Sequence, residues 1–255
     1  PSSRSKVPIT AEVTDIRTST STSMSMSMSM SMNNLPKLLQ LCSQALPVGA
    51  YAYSQGLESA IHERHVIDAA SAQHWIGGVF EQGVSELDLP ALLIAYDAFD
   101  RFDDVTVQEL NVYLAASRET QELLLEDVGM GRALDRLLRT LNLDGVEIQQ
   151  PSFVIQFAMA GRHWDIPALD LAAGFSFSWI ENQIAVCAKS IPLGQSEAQI
   201  VLSELIEKID TLVTKAQQIA LSAGGPLDWQ FGQSMPSLAI MSSQHEVLEA
   251  RMYRS

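Results

Sequence analysis

The feature that most constrains the fold is a long apolar stripe with the period of an α-helix. Between residues 199 and 220, spacings of three and four residues alternate along a run of apolar side chains: Leu202, Leu205, Ile209, Leu212, Ala216 and Ile219. This spacing places all of them on one face of a helix. A capping-box pattern at Ser196 and Gln199 and the run Gly224-Gly225-Pro226 supply start and stop signals. We therefore predict one amphipathic helix over residues 199–220.

The same period recurs along most of the chain. Further helices are predicted over Ser117–Leu141, over Leu110–Ala116 behind a capping box at Thr106, and behind the N-cap candidates Asp68 and Asp165. Pro90 is predicted to interrupt a helix. No strand is followed by a glycine-rich turn and a helix, which argues against a parallel α/β sheet. The pattern predicts an all-α fold, a single helical-bundle domain of about nine or ten helices.

The N-terminal part of the sequence differs from the rest. From Thr18 to Met32, serine alternates with threonine or methionine. Such a segment cannot bury enough side chain to offset the entropy of ordering it. We predict that residues 1–34 are a disordered Ser/Thr/Met-rich N-terminal extension and that residues 35–255 form the all-α domain.

Composition narrows the possible partners. The chain has 16 Lys and Arg against 30 Asp and Glu, a net charge of −14. Nucleic acids and anionic membranes are bound by clustered basic residues, so neither is expected as a partner. No apolar run reaches the roughly 18 residues of a membrane-spanning helix. Cys42 and Cys187 form no C-x-x-C pair, which argues against a zinc ribbon or a disulfide framework. Together these features predict a cytoplasmic protein.

No catalytic residue, metal site or cofactor is predicted. The chain has no P-loop, and the run before Gly56 is one residue short of a G-x-S-x-G nucleophile elbow. His62 and His65 are placed on one predicted helical face, but they match neither H-E-x-x-H nor the Glu-x-x-His of di-iron bundles. This pattern favours a binding protein over an enzyme. A small helical metalloenzyme using scattered acids and His62, His65 or His163 remains an alternative.

Four segments carry a resemblance to a known family. They read LPVGAYAYSQGLE at 46–58, SRETQELLLEDVGMGRALDRLL at 117–138, SWIENQIAVCAKSIPLGQ at 178–195, and HEVLEARMYRS at the end. In this order they resemble the UreF family of urease accessory proteins, over about residues 35–255. The last segment departs from the family, in which S-x-R-H-E-T-Q-Y-S-R-L-F-R-S is common, because Gln244 replaces the arginine and Val-Leu-Glu-Ala replaces T-Q-Y-S.

The resemblance implies an all-α homodimer that is not an enzyme. It implies binding to UreD (also called UreH) and to the GTPase UreG on apo-urease, and gating of GTP-dependent nickel insertion into the urease active site. The candidate partner-binding or gating residues are Tyr51, Tyr53, Gln55, Glu58, Arg118, Glu119, Glu122, Lys189, Arg251 and Arg254.

Several of these candidates also have a simpler interpretation, and Arg254 could be part of a frayed end. Lys189, the gating candidate, is a lone ammonium at a helix end predicted to be buried, but it could equally cap its helix. Arg118, Glu119 and Glu122 could form a solvated mixed-charge face. The whole chain could also be a helical adaptor unrelated to urease.

Overall fold

The computed structural model describes residues 34–143 and 145–255, which form helices joined by short turns. Within these residues there are eleven α-helical segments and no β-strand, so the all-α prediction is confirmed. The segments are α1 (Leu35–Leu41), α2 (Leu57–His62), α3 (Ala69–Val79), α4 (Leu89–Asp100), α5 (Asp104–Ser117), α6 (Gln121–Thr140), α7 (Phe153–His163), α8 (Ala168–Ser190), α9 (Gln195–Ile206), α10 (Ile209–Ser222) and α11 (Pro236–His245). The predicted N-terminal extension lies outside the described residues except for Asn34, whose side-chain amide donates to the Asp165 carbonyl at 2.5 Å.

One contiguous hydrophobic core joins these helices. Helix α7 lies deep within it, since every residue from Val154 to Gly161 is buried. Helix α4 packs against α5, α7, α8 and α10. Helix α6 lies against α7, and Gly131 makes the close approach possible: a Cβ atom there would meet the Pro151 carbonyl oxygen at 1.9 Å. Among the described helices, none combines the length and apolar character that crossing a bilayer requires.

Helices α3 and α4 form one continuous rod through a π-helical segment, Phe80–Asp88. The backbone N–H of Leu89 donates to the Val84 carbonyl, five residues back, as the π register requires. The prediction that Pro90 interrupts a helix is therefore wrong. A proline collides with the carbonyl four residues earlier in a regular α-helix, and here the wider π turn comes immediately before Pro90. The π segment also places the buried Asp88 at its end.

Several predicted helix ends are wrong for local reasons. The predicted 199–220 helix is divided by a turn at Glu207 and Lys208, although the apolar stripe remains on the core side. The predicted Ser117–Leu141 helix begins later, because α5 ends at Ser117 and the Thr120 side chain caps α6 by accepting from Leu123 N–H at 3.2 Å.

The two N-cap predictions have opposite outcomes. Asp68 caps α3 as predicted, in a reciprocal capping box with Ser71. Asp165 does not cap α8: its φ is +50°, Pro167 precedes the helix, and its carboxylate pairs with Arg162 at 2.7 Å. The proline explains this outcome, because proline disfavours the α conformation in the residue before it, so α8 cannot begin at Ile166 directly after Asp165.

Candidate functional site

Two segments that are far apart in the sequence meet along their backbones. We define the C-terminal segment as residues 246–255. The Arg254 N–H donates to the Ala52 carbonyl at 2.8 Å, and the Ser54 N–H donates to the Ser255 carbonyl at 2.9 Å. The Ser54 hydroxyl donates to the same Ser255 oxygen. The C-terminal segment therefore lies along the tyrosine-containing motif at 46–58.

Glu58 fixes the next part of the C-terminal segment. It lies in the first turn of α2, after Gly56, whose φ of +73° favours glycine. A Cβ atom at Gly56 would also lie 3.0 Å from the Ser242 nitrogen of α11, so α2 and α11 pack closely there. The Glu58 carboxylate accepts from the backbone N–H of Met252 at 2.7 Å and of Tyr253 at 3.0 Å. One side chain thus holds two consecutive peptide groups.

A buried histidine joins this motif to α6. His245 is 0% exposed. Its Nδ1 lies 2.9 Å from Glu122 Oε2 and its Nε2 lies 2.9 Å from Glu58 Oε2. The Arg251 guanidinium donates to the other oxygen of Glu122 at 2.9 Å. Three elements, α2, α6 and α11, therefore meet at one side chain.

Glu126, one turn along α6, forms a second buried contact. It accepts from Gln55 Nε2 at 2.7 Å and from the Ser255 hydroxyl at 2.6 Å. Gln55 is held in turn by the Trp179 indole N–H, which donates to its Oε1 at 2.8 Å. Burial raises the pKa of Glu126 to about 7, although the hydrogen bonds from Ser255 and Gln55 oppose the shift. Glu126 can therefore change its charge near neutral pH.

Arg118 occupies the interior next to Glu126. Its guanidinium contacts Asp88 at 2.7 Å and Asp127 at 3.2 Å, and its side chain is 16% exposed. Asp127 also accepts from the backbone N–H of Phe153 at 2.8 Å, at the positive end of α7. Burial disfavours the charge of Arg118, but Asp127 and Asp88 outweigh it and raise the pKa, so the guanidinium remains charged.

The interpretation of Arg118, Glu119 and Glu122 as a solvated face is therefore wrong for two of the three. Arg118 lies at the corner between α5 and α6, where the backbone is extended, and its side chain is 16% exposed. Glu122, in the first turn of α6, is buried. Glu119 is exposed, but it accepts from the Met235 N–H at 2.9 Å and from the Ser234 hydroxyl. All three side chains hold parts of this chain together.

A cavity of about 150 Å³ adjoins these buried charges. Its lining includes Cys42, Gln55, Asp88, Arg118, Glu126 and Trp179. Burial raises the pKa of the Cys42 thiol to about 12, with a smaller contribution from Glu181. Cys42 is therefore a neutral thiol and not a nucleophile.

Three of the four remaining candidates are exposed beside the C-terminal segment. Tyr51 is 64% exposed, and the side chains of Lys189 and Arg254 are also exposed. The α8 end that carries Lys189 was predicted to be buried, which is wrong: Ala188 and Lys189 both face solvent. Tyr53 is half-buried, and its hydroxyl lies over Gly129, 2.9 Å from where a Cβ would be. We define Tyr51, Lys189 and Arg254 as the rim.

No metal site is assembled in the part of the chain that the structure describes. There, no group of three or more histidine, cysteine or acidic side chains is placed to hold an ion. The prediction that His62 and His65 share a helical face is wrong, because α2 ends at His62 and Arg64 adopts a φ of +63°.

Most of the partners of the candidate residues were not predicted from the sequence. The buried ones are Ser54, Asp88, Glu126, Asp127, His245 and Ser255, and Trp179 is half-buried. One signal was present: Asp127 lies four residues before Gly131 and seven before Leu134, and so falls on the apolar face of α6. A carboxylate on such a face needs a buried partner. Nothing in the sequence pointed to His245 as a contact of Glu58.

The described residues thus form an all-α domain whose buried charges fasten its own segments, beside an exposed polar rim. The family model for UreF matches residues 66–206. The urease accessory protein UreF of Teredinibacter turnerae is 43% identical over 226 residues, covering 88% of this chain and 99% of that protein. UreF of Hahella chejuensis is 42% identical over 224 residues, covering 87% and 98%.

The chain belongs to the UreF family of urease accessory proteins. It is an accessory protein in urease maturation and not an enzyme. This membership overturns both alternatives, the small metalloenzyme and the helical adaptor unrelated to urease.

Proposed function

We propose that this chain bridges UreD (UreH) and the GTPase UreG on apo-urease and gates GTP-dependent nickel insertion into the urease active site. We further propose that it acts in the cytoplasm as a homodimer, and that residues 1–34 form an extension apart from the all-α domain. The observation that carries the bridging role is the convergence of three family-like segments, the 46–58 motif, the end of α8 and the C-terminal segment, on one surface.

The chemistry of that surface supports binding to proteins. Tyr51 and Met252 are exposed apolar side chains, and tyrosine is favoured as an anchor at interfaces. Lys189 and Arg254 add exposed positive charge to a chain with a net charge of −14. A partner that presents carboxylates would find here a local basic site within an acidic surface.

The backbone of the C-terminal segment supports its use as a binding element. Its peptide groups are held by Ala52, Ser54 and Glu58, so the side chains of Met252 and Arg254 are presented from a fixed backbone. A pre-ordered segment loses less entropy on binding than a disordered one. We propose that UreD binds this segment together with Tyr51.

Lys189 is the proposed gating residue. It is exposed near the end of α8, and its neighbour Ser190 lies beside the Tyr253 hydroxyl of the C-terminal segment. Among the described residues, its ammonium has no hydrogen-bond or ion-pair partner. A cation in this state can pair with a partner's carboxylate in one assembly and release it in another.

Co-purification tests the bridging role. Tagged full-length chain should retain the UreD- and UreG-like proteins of the same organism, and Arg254→Ala combined with Tyr51→Ala should reduce UreD retention by about tenfold or more. Arg136→Ala, an exposed arginine on α6, is the matched control and should retain both partners. If the double variant retains UreD like the unmodified chain, the rim is not the UreD-binding surface.

A further inference from the structure

We propose that His245 is held as a doubly protonated imidazolium, and that this cation positions the C-terminal segment by fastening α11 to α2 and α6. We call His245 with Glu58 and Glu122 the histidine clamp. The inference goes beyond the bridging function, because it concerns contacts within this chain and needs no partner.

The two short contacts of the ring define its protonation state. A neutral imidazole has one N–H donor and one nitrogen with a lone pair. Each nitrogen of His245 lies 2.9 Å from a carboxylate oxygen, and the residue is 0% exposed. With a neutral ring, a lone pair would face one of these oxygens directly. With both nitrogens protonated, each carboxylate receives a hydrogen bond from a charged donor.

The proton belongs on the ring, because both carboxylates already have other donors. Glu58 accepts from the N–H groups of Met252 and Tyr253, and Glu122 accepts from Arg251. Hydrogen bonds to a carboxylate favour its ionised form. Two carboxylates, one imidazolium and one guanidinium then sum to zero charge, which is the arrangement a poorly hydrated site tolerates.

The groups around the clamp come from each element packed against it. Helix α2 supplies Glu58, α6 supplies Glu122, and the C-terminal segment supplies Arg251 and Tyr253. Burial raises the pKa of Tyr253, so its hydroxyl stays neutral. A further hydrogen bond, between the hydroxyls of Ser242 on α11 and Thr120 at the N-cap of α6, spans 2.7 Å and carries no charge.

The clamp makes docking of the C-terminal segment depend on one proton. When the ring loses that proton, the four ionisable groups carry a net charge of −1, and one carboxylate contact becomes repulsive. Release of the segment relieves both, since Glu58 and Glu122 then reach water.

The protonation state can be measured directly on the unmodified protein. The full-length chain, labelled with ¹⁵N, is examined at about pH 7.5, where a free histidine is mostly neutral. We expect both ring nitrogens of His245 to show the shifts of protonated imidazolium nitrogens. A neutral ring at His245 at this pH would overturn the proposal.

Amide exchange tests the positioning role. In His245→Gln, which cannot donate to two carboxylates and carries no charge, exchange at Met252 and Tyr253 should accelerate about tenfold or more. Amides of α7 should remain protected, and His62→Gln, the matched control, should exchange like the unmodified chain. Unchanged exchange at both amides in a folded H245Q protein would contradict the role.

A second variant keeps the test decisive if H245Q does not fold. Glu58→Gln retains the side-chain shape and removes one carboxylate, so the ring should become neutral at about pH 7.5. A ring that stays doubly protonated in E58Q would overturn the proposal. None of these measurements contains UreD or UreG, so failure of the clamp and failure of the bridging role are distinguishable.

Discussion

The two sides of the C-terminal segment use charged residues in opposite ways. On the inner side, Glu122 and Glu126 are buried, Arg118 is 16% exposed, and all three have partners from the same chain. On the outer side, Lys189 and Arg254 face solvent. Buried ionised groups are costly to leave unpaired, whereas exposed charges contribute little to stability. The inner charges therefore determine where the segment lies, and the rim determines what it can bind.

This difference separates two kinds of mutational effect. A substitution on the inner side should change stability first and binding as a consequence. A substitution on the rim should change binding with almost no change in stability. A variant that violates this rule would show that the two sides are not independent.

The largest expected effect is that of Arg118→Met. The substitution leaves Asp88 and Asp127 buried without their shared cation, which should cost about 3 kcal/mol or more in the free energy of unfolding. Urea denaturation monitored by circular dichroism measures this change. Arg101→Met is the matched control, since Arg101 pairs with Asp97 across an exposed helix turn at 2.9 Å and should cost under about 0.5 kcal/mol. Equal losses in the two variants would contradict the distinction between inner and exposed pairs.

Glu126 on the inner side should make the free energy of unfolding depend measurably on pH. Its pKa rises from 4.5 in the unfolded chain to about 7 in the folded protein. The folded state thus binds this proton more tightly. The stabilisation of the folded state by this proton is fully present below about pH 4.5 and is lost as the pH rises through about 7. The free energy of unfolding falls by about 3 kcal/mol in total.

The variant Glu126→Gln removes this titration. Relative to the unmodified chain, its free energy of unfolding should fall less between about pH 5 and 8. Urea midpoints measured across this range test the expectation. Asp135→Asn, which removes the carboxylate of a pair on the outer face of α6, should keep the slope of the unmodified chain. Parallel pH profiles for Glu126→Gln and the unmodified chain would contradict the assignment.

The all-α class and most of the helices followed from apolar periodicity, because burying one face of a helix depends on local spacing. The ends were less predictable. Pro90 was misjudged because a π register preceding it depends on packing, and Asp165 because Pro167 takes over the entry to α8. Such outcomes depend on neighbouring residues in three dimensions, which a periodic pattern does not encode.

The candidate site was only partly predictable. Glu58, Glu122 and Arg251 were identified by resemblance. In the structure His245 joins Glu58 to Glu122, and Arg251 donates to Glu122. His245 itself lies 123 residues from Glu122 along the chain. Contacts over such distances arise from the tertiary arrangement of α2, α6 and α11, and no short motif reports them.

The smallest expected effect on stability is that of Lys189→Ala on the rim. An exposed lysine at a helix C-terminus interacts weakly with the helix dipole, so the free energy of unfolding should change by under about 0.5 kcal/mol. If Lys189 gates nickel insertion, urease activated in cells that carry this variant should contain less nickel and show lower activity. Lys215→Ala on α10, whose lysine pairs with Glu86, controls for the loss of a lysine and should activate urease normally. Normal urease activation by a stably folded Lys189→Ala protein would remove the gating role and leave Lys189 as a helix cap.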